Sequence, residues 1–257
     1  MIPLLLKSGA TSPRTAQGAV SRPPATGPVR RAAGKSFLEF HHRRCRDDGS
    51  RAFPATALRL LAASWLGAFL AYSQPISLVQ RADLWHYHLG TNAPPALWQT
   101  LPEAELDVLW PTAPGGFGYA NNAPETADCA TLLPGMSNQW STLYLRRSFS
   151  LAEAPATNVH LFLRVDWDDA FLAWLDGRFV AGRNQDGSEV EPPFDSLAAS
   201  GHESSRGNSS PQPAETIDLG LAAALLAPGT HTLALMGLNQ PLNSSDFILV
   251  ADLYLEA

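Results

Sequence analysis

Residues 159–184 read VHLFLRVDWDDAFLAWLDGRFVAGRN, three short apolar runs divided by two acidic turns, Asp168-Asp169 and Asp176-Gly177. An Asp-Gly pair between β-patterned runs is the strongest short-range hairpin signal, because a type I′ turn needs positive φ at both central residues. Val159, Leu161, Leu163 and Val165 fall on one face of such a strand, and His160, Phe162 and Arg164 on the other. The stretch commits this part of the chain to antiparallel sheet. It also gathers Asp166, Trp167, Asp168 and Asp169 at one sheet rim, a place where a metal or ligand can be held.

Period-two patterning continues on both sides. Strands are predicted at 143–149, 159–165, 171–175, 178–181, 216–219, 230–238 and 247–255, with a helical turn at 221–226 stopped by Pro228-Gly229. Many strands, Gly/Pro/Asn turns and little helix imply an all-β fold, an antiparallel β-sandwich or barrel. Residues 111–141 and 183–213 show no period, and loops beyond about 15 residues are usually functional or disordered.

Charge divides the chain. Residues 1–73 hold 11 Lys+Arg against 3 Asp+Glu, whereas residues 74–257 hold 7 Arg, no Lys and 21 Asp+Glu. So acidic a body repels nucleic acid and anionic lipid. Residues 1–57 are rich in Ala, Pro, Arg and Ser, lack an apolar period and are expected to be a disordered leader. Arg59 then precedes LLAASWLGAFLAYS, with small residues at Ala71 and Ser73. This pattern reads as a signal-peptide-like helix over 58–73, too short for a membrane span of about 20 residues. Three readings stay open: translation begins near Leu58, 1–57 is a transit peptide ahead of a two-step signal, or residues 58–72 are simply a buried amphipathic helix. The first implies a secreted or extracytoplasmic protein, the second an organelle lumen, and these two put the mature start near Gln74. The two cysteines, Cys45 and Cys129, lie on opposite sides of that boundary, so no disulfide is expected in the body.

In chain order, several motifs match a known pattern: Leu84–Leu89 with Gly90-Thr91 and Trp98, Gly116-Phe117-Gly118-Tyr119, Tyr144-Leu145-Arg146-Arg147-Ser148-Phe149, Val165–Phe171 with Leu175-Asp176-Gly177, His202-Glu203, and Asn239 with Ser244-Ser245-Asp246. Together they resemble the galactose-binding-like jelly-roll modules of secreted, multidomain bacterial proteins, with Ala120 and Ala170 where that family usually has glycine. The resemblance spans about 84–255. It implies a jelly-roll β-sandwich over 74–257 acting as a non-catalytic accessory module.

Asp166, Asp168 and Asp169, joined by Asp246 if the loops meet, are candidate Ca²⁺ ligands, since calcium takes six to eight oxygens from carboxylates and carbonyls. Asp also suits turns without any metal. Trp140, Trp167, Trp110 and Tyr119 lie in or beside loops, where flat aromatic faces suit a sugar. His202 and Glu203 border the same region as ligand-binding candidates, and His202 is expected chiefly to pin the long loop to the sheet. His86 and His88 share a strand face but lack a third zinc ligand, and are expected to face solvent. No P-loop, dinucleotide fingerprint, HExxH or nucleophile elbow occurs. The expected function is therefore an exported carbohydrate-binding module whose partner is an extracellular glycan or cell-envelope component, with a neighbouring enzyme. A structural or adhesion module, and a hydrolase with its site in the long loops, are the alternatives.

Overall fold

The computed structural model describes residues 74–185 and 190–257. Expectations for 1–73 fall outside the described residues. The elements in order are β1 (Ile76–Val79), β2 (Leu84–Leu89), α1 (Glu103–Leu109), β3 (Thr112–Pro114), β4 (Phe117–Tyr119), α2 (Ala123–Thr126), β5 (Thr131–Leu132), β6 (Thr142–Leu151), β7 (His160–Asp168), β8 (Ala170–Leu175), β9 (Arg178–Arg183), β10 (Glu215–Leu221), α3 (Ala222–Leu225), β11 (Gly229–Leu238) and β12 (Phe247–Glu256).

They form two six-stranded sheets. One runs β10-β7-β12-β4-β5 with β1 also on β12, the other β3-β2-β6-β11-β8-β9. Every pairing is antiparallel except the short β4–β5 pair. This is an all-β sandwich. Alternation sets its interior: Leu161, Leu163 and Val165 of β7 meet Phe247, Leu249 and Leu253 of β12 and Leu143, Leu233, Leu235 and Phe171 of the facing sheet, all completely buried. Gly237 leaves room there, since a Cβ on it would stand 2.7 Å from the Phe247 ring.

The Asp176-Gly177 turn has φ of 50° and 77°, the left-handed pair its sequence demands. Asp176 is anchored further, accepting the Thr232 N–H at 2.8 Å and lying 2.7 Å from His231 Nδ1.

Residues 92–110, for which the sequence predicts no element, form α1 and a second apolar layer over the β6-β11-β8 sheet. Trp98, Trp110 and Trp174 pack there with Tyr144, Leu172 and Met236. This layer explains the fate of the β2 histidines, which do not both face solvent. His86 is 7% exposed, 3.2 Å from Glu103, and His88 stacks on Trp110 with centroids 5.3 Å apart. Arg146 and Arg147 point to opposite faces, reaching Glu103 and Asp83 respectively at 3.5 Å each. Residues 111–141 are not one loop but carry β3, β4, α2 and β5. No helix among the described residues is long and apolar enough to cross a membrane.

Candidate functional site

The site grows from the last turn of alternation in β7. Trp167 points into the core, so Asp166 and Asp168 point to the outer face, and Asp169 opens the turn into β8. Pairing places Asp168 opposite Ile248 and thereby beside the β11–β12 connection. α2 approaches from the other side, capped by Asn122, whose side chain accepts the Glu125 N–H at 2.8 Å and donates to Glu125 Oε2 at 2.7 Å. Glu125, Asp168 and Asp246 are 0%, 2% and 7% exposed. Each offers a carboxylate oxygen, and these oxygens lie within 4.8 Å of one another.

The neighbouring acids are already engaged. Asp166 takes the Ser205 N–H at 2.8 Å on one oxygen and the Ser205 hydroxyl on the other. Asp169 takes the His202 N–H at 2.8 Å and the Gln240 N–H. The Ser204 hydroxyl donates to Glu125. Two carboxylates thus act as clamps for the 190–213 loop. His202 completes the clamp, its ring 4.4 Å from that of Trp167 and 9° from parallel.

Asp168 differs. Its Oδ1 is sealed from solvent and no protein donor reaches it. A buried, unpaired carboxylate oxygen is costly, and it is the observation that a cation resolves. Burial first, then the charges of Asp169, Asp246, Glu125 and Glu203, hold the Asp168 carboxyl far above the usual carboxylate range. Burial also raises Asp169, against the lowering effect of the His202 and Gln240 amides, and raises Glu125. Hard carboxylate oxygens without thiolate or imidazole suit Ca²⁺ or Mg²⁺ rather than a soft metal. The buried triad can bind a metal.

Beside the triad opens a polar cleft of about 390 Å³, whose lining includes Asp246, Ser244, Ser245, Gln240, Glu203 and His202. Glu203 Oε2 and Gln240 Oε1 are buried there without partners.

Of the residues foreseen from the sequence, Asp168 and Asp246 meet in the triad, while Asp166 and Asp169 stand next to it as loop clamps. Glu125 was not foreseen. Its signal, an Asn122-Ala-Pro-Glu125 capping pattern, points to a helix start and not to a ligand. The aromatic residues do not form an open platform. Trp167, Trp110 and Tyr119 are 5%, 3% and 9% exposed. Trp167 is wedged between Phe171 and His202, Trp110 lies under Trp98, and Trp140 packs against the main core. Tyr119 supports the β11–β12 connection, donating to the Ser244 carbonyl and accepting from Asn239, both at 3.0 Å. A sandwich with open ends needs such plugs.

No family model and no curated protein matches the chain. Among solved structures it is similar to a β-glucuronidase of Faecalibacterium prausnitzii, at 16% identity and TM-score 0.36, over 64% of this chain and 21% of that one. It is also similar to a glycosyl hydrolase family 2 member of Bacteroides cellulosilyticus, at 12% identity and TM-score 0.40, over 70% of this chain and 20% of that one. A third is a β-glucuronidase of an uncultured Clostridium, at 10% identity and TM-score 0.39, over 72% of this chain and 30% of that one. The chain thus spans about a fifth of the first two proteins it resembles.

Proposed function

We propose that this chain is an exported, non-catalytic carbohydrate-binding module whose loop-end centre, Glu125–Asp168–Asp246, holds Ca²⁺. The observation that carries the reading is Asp168, 2% exposed with Oδ1 unpartnered among two other buried carboxylates. Calcium supplies the missing partner and accepts the irregular oxygen set that three separate chain segments provide. By joining α2, the β7–β8 turn and the β11–β12 connection, the ion also fixes the walls of the adjoining cleft. That cleft offers hydroxyl, amide and carboxylate groups, which suits a neutral polyhydroxylated ligand.

A non-catalytic role fits the way these acids are used. Both oxygens of Asp166 and both of Asp169 accept protein donors, and the His202 ring lies against Trp167, within 3.2 Å of its carbonyl. The cleft hydroxyls of Ser244 and Ser245 are likewise spent on Asp246 Oδ1, at 3.2 Å each.

A glycan array probed with the full chain in Ca²⁺ and again in EDTA tests the reading. Binding of neutral glycans in Ca²⁺, weakened by Glu203→Gln, supports it. An array empty in both conditions removes the carbohydrate assignment, and release of reducing sugar from a bound glycan removes the non-catalytic one.

A further inference from the structure

Among the described residues, the outer face of the β7–β12 sheet is covered over only part of its length. Near the loop end Ile248 and Val250 are buried with Cys129, and Asp166 is tied to Ser205. The cover stops at the next cross-strand row, Arg164 opposite Asp252. Beyond it stand Phe162 opposite Tyr254 and His160 opposite Glu256, all only partly buried.

Three of these side chains are rings in register. Phe162 and Tyr254 lie 5.5 Å apart with planes 20° from parallel, and His160 lies 6.2 Å from Phe162 at 27°. A cleft of about 370 Å³ opens beside Tyr254, bounded by Pro75, Ser77, Arg164, Asp252 and Glu256. The polar groups around the ladder are held in place. Arg81 and Arg164 converge on Asp252 at 3.4 and 3.9 Å, and His160 Nδ1 lies 2.9 Å from Asp218.

The fold itself does not ask for rings on this side. Leu161, Leu163, Leu253 and Leu255 of the same two strands already fill the interior. Outward positions of a sheet packed on one face are ordinarily polar. Aromatic surface rimmed by polar groups marks an interaction site, and the cleft beside Tyr254 gives this one the concavity that a small-molecule or glycan ligand needs.

We infer that this ladder is a second binding site, separate from the loop-end centre, which takes a neutral polysaccharide chain. A sugar ring has an apolar C–H face and a rim of hydroxyls. The first matches the Tyr254–Phe162–His160 ladder, and the second matches Arg164, Asp252 and Glu256. Charge selects among glycans: with 7 Arg, no Lys and 21 Asp+Glu over residues 74–257, the body repels anionic chains. The cleft shares no lining residue with the loop-end cleft, so this site works without a metal.

The test is calorimetric titration of the full chain, in EDTA and again in Ca²⁺, with cellohexaose, xylohexaose and mannohexaose, and with a heparin hexasaccharide as the anionic probe. At least one neutral hexasaccharide binds, the heparin fragment does not, and Tyr254→Ala and Arg164→Ala each weaken binding at least tenfold with an unchanged melting temperature. Asp246→Asn leaves this binding untouched. Absence of binding by all three neutral probes, as for a face that serves a protein partner, overturns the proposal. So does binding that survives both substitutions, or binding that needs Ca²⁺ and disappears in Asp246→Asn, which belongs to the loop-end centre instead.

Discussion

His202 lies flat on Trp167, ring centroids 4.4 Å apart and planes 9° from parallel, while its own N–H donates to Asp169 at 2.8 Å. One residue thus joins the 190–213 loop to both the core edge and the acidic rim. Stacked ring pairs contribute about 0.5–1.5 kcal/mol beyond area burial. His202→Ala should lower stability by about 1 kcal/mol. The larger effect is local: amide exchange at 200–206 speeds up while the sheet amides stay protected. Uniform exchange across both would remove His202 from its role as the loop's anchor.

Asp168→Asn puts an uncharged group of the same shape where burial and the neighbouring acids disfavour a charged carboxylate. In EDTA the variant's melting temperature should be no lower than that of the parent. In millimolar Ca²⁺ the parent gains stability and the variant does not, because only the folded parent holds the ion. A variant that loses stability equally in both conditions makes Asp168 a packing residue and nothing more.

The β8–β9 turn gives a prediction about backbone strain. Gly177 has φ of 77°, and a Cβ there would stand 2.6 Å from Thr100 Cγ2. Gly177→Ala therefore combines left-handed strain of roughly 1–2 kcal/mol with a steric clash. Urea denaturation should show a lower midpoint at unchanged slope.

His231 supplies the pH dependence. Burial alone lowers its pKa, but the Ala227 carbonyl and the Asp176 carboxylate outweigh burial and raise it above the ordinary value. A folded-state pKa above the unfolded one stabilises fully below the unfolded value and is lost as pH rises through the folded value. The stability gap between parent and His231→Gln should therefore shrink as pH rises from the ordinary histidine pKa of about 6.5 through the higher folded-state value. A gap that widens over that range contradicts the Asp176–His231–Ala227 arrangement.

The sheets were legible because period two is a local property. The strands foreseen at 230–238 and 247–255 became β11 and β12 almost residue for residue. Asp176-Gly177 announced its turn through backbone sterics alone. α1 was not legible: its seven residues carry no long apolar period, and the helix is held by Trp98 and Trp110 packing against strands distant in sequence. The acidic rim was half legible. Asp168 and Asp246 stand in recognisable turn motifs, whereas Glu125 joins them only because α2 folds across the sheet end. Asp166 and Asp169 read as ligands because a carboxylate's partner cannot be seen in the chain; in the fold, backbone amides of His202, Ser205 and Gln240 are those partners. The tryptophans misled for a related reason. A ring beside a loop looks exposed until something closes over it: the loop pinned by His202 in the case of Trp167, and Trp98 in the case of Trp110.

Titration of the EDTA-treated full chain with CaCl₂, followed by calorimetry and by melting temperature, bears most directly on the loop-end centre. One ion should bind per chain, with a melting temperature that climbs with Ca²⁺ concentration and a response abolished in Asp168→Asn and Asp246→Asn. No heat and no shift in millimolar Ca²⁺ would contradict the account and leave Glu125, Asp168 and Asp246 as buried acids without a cation.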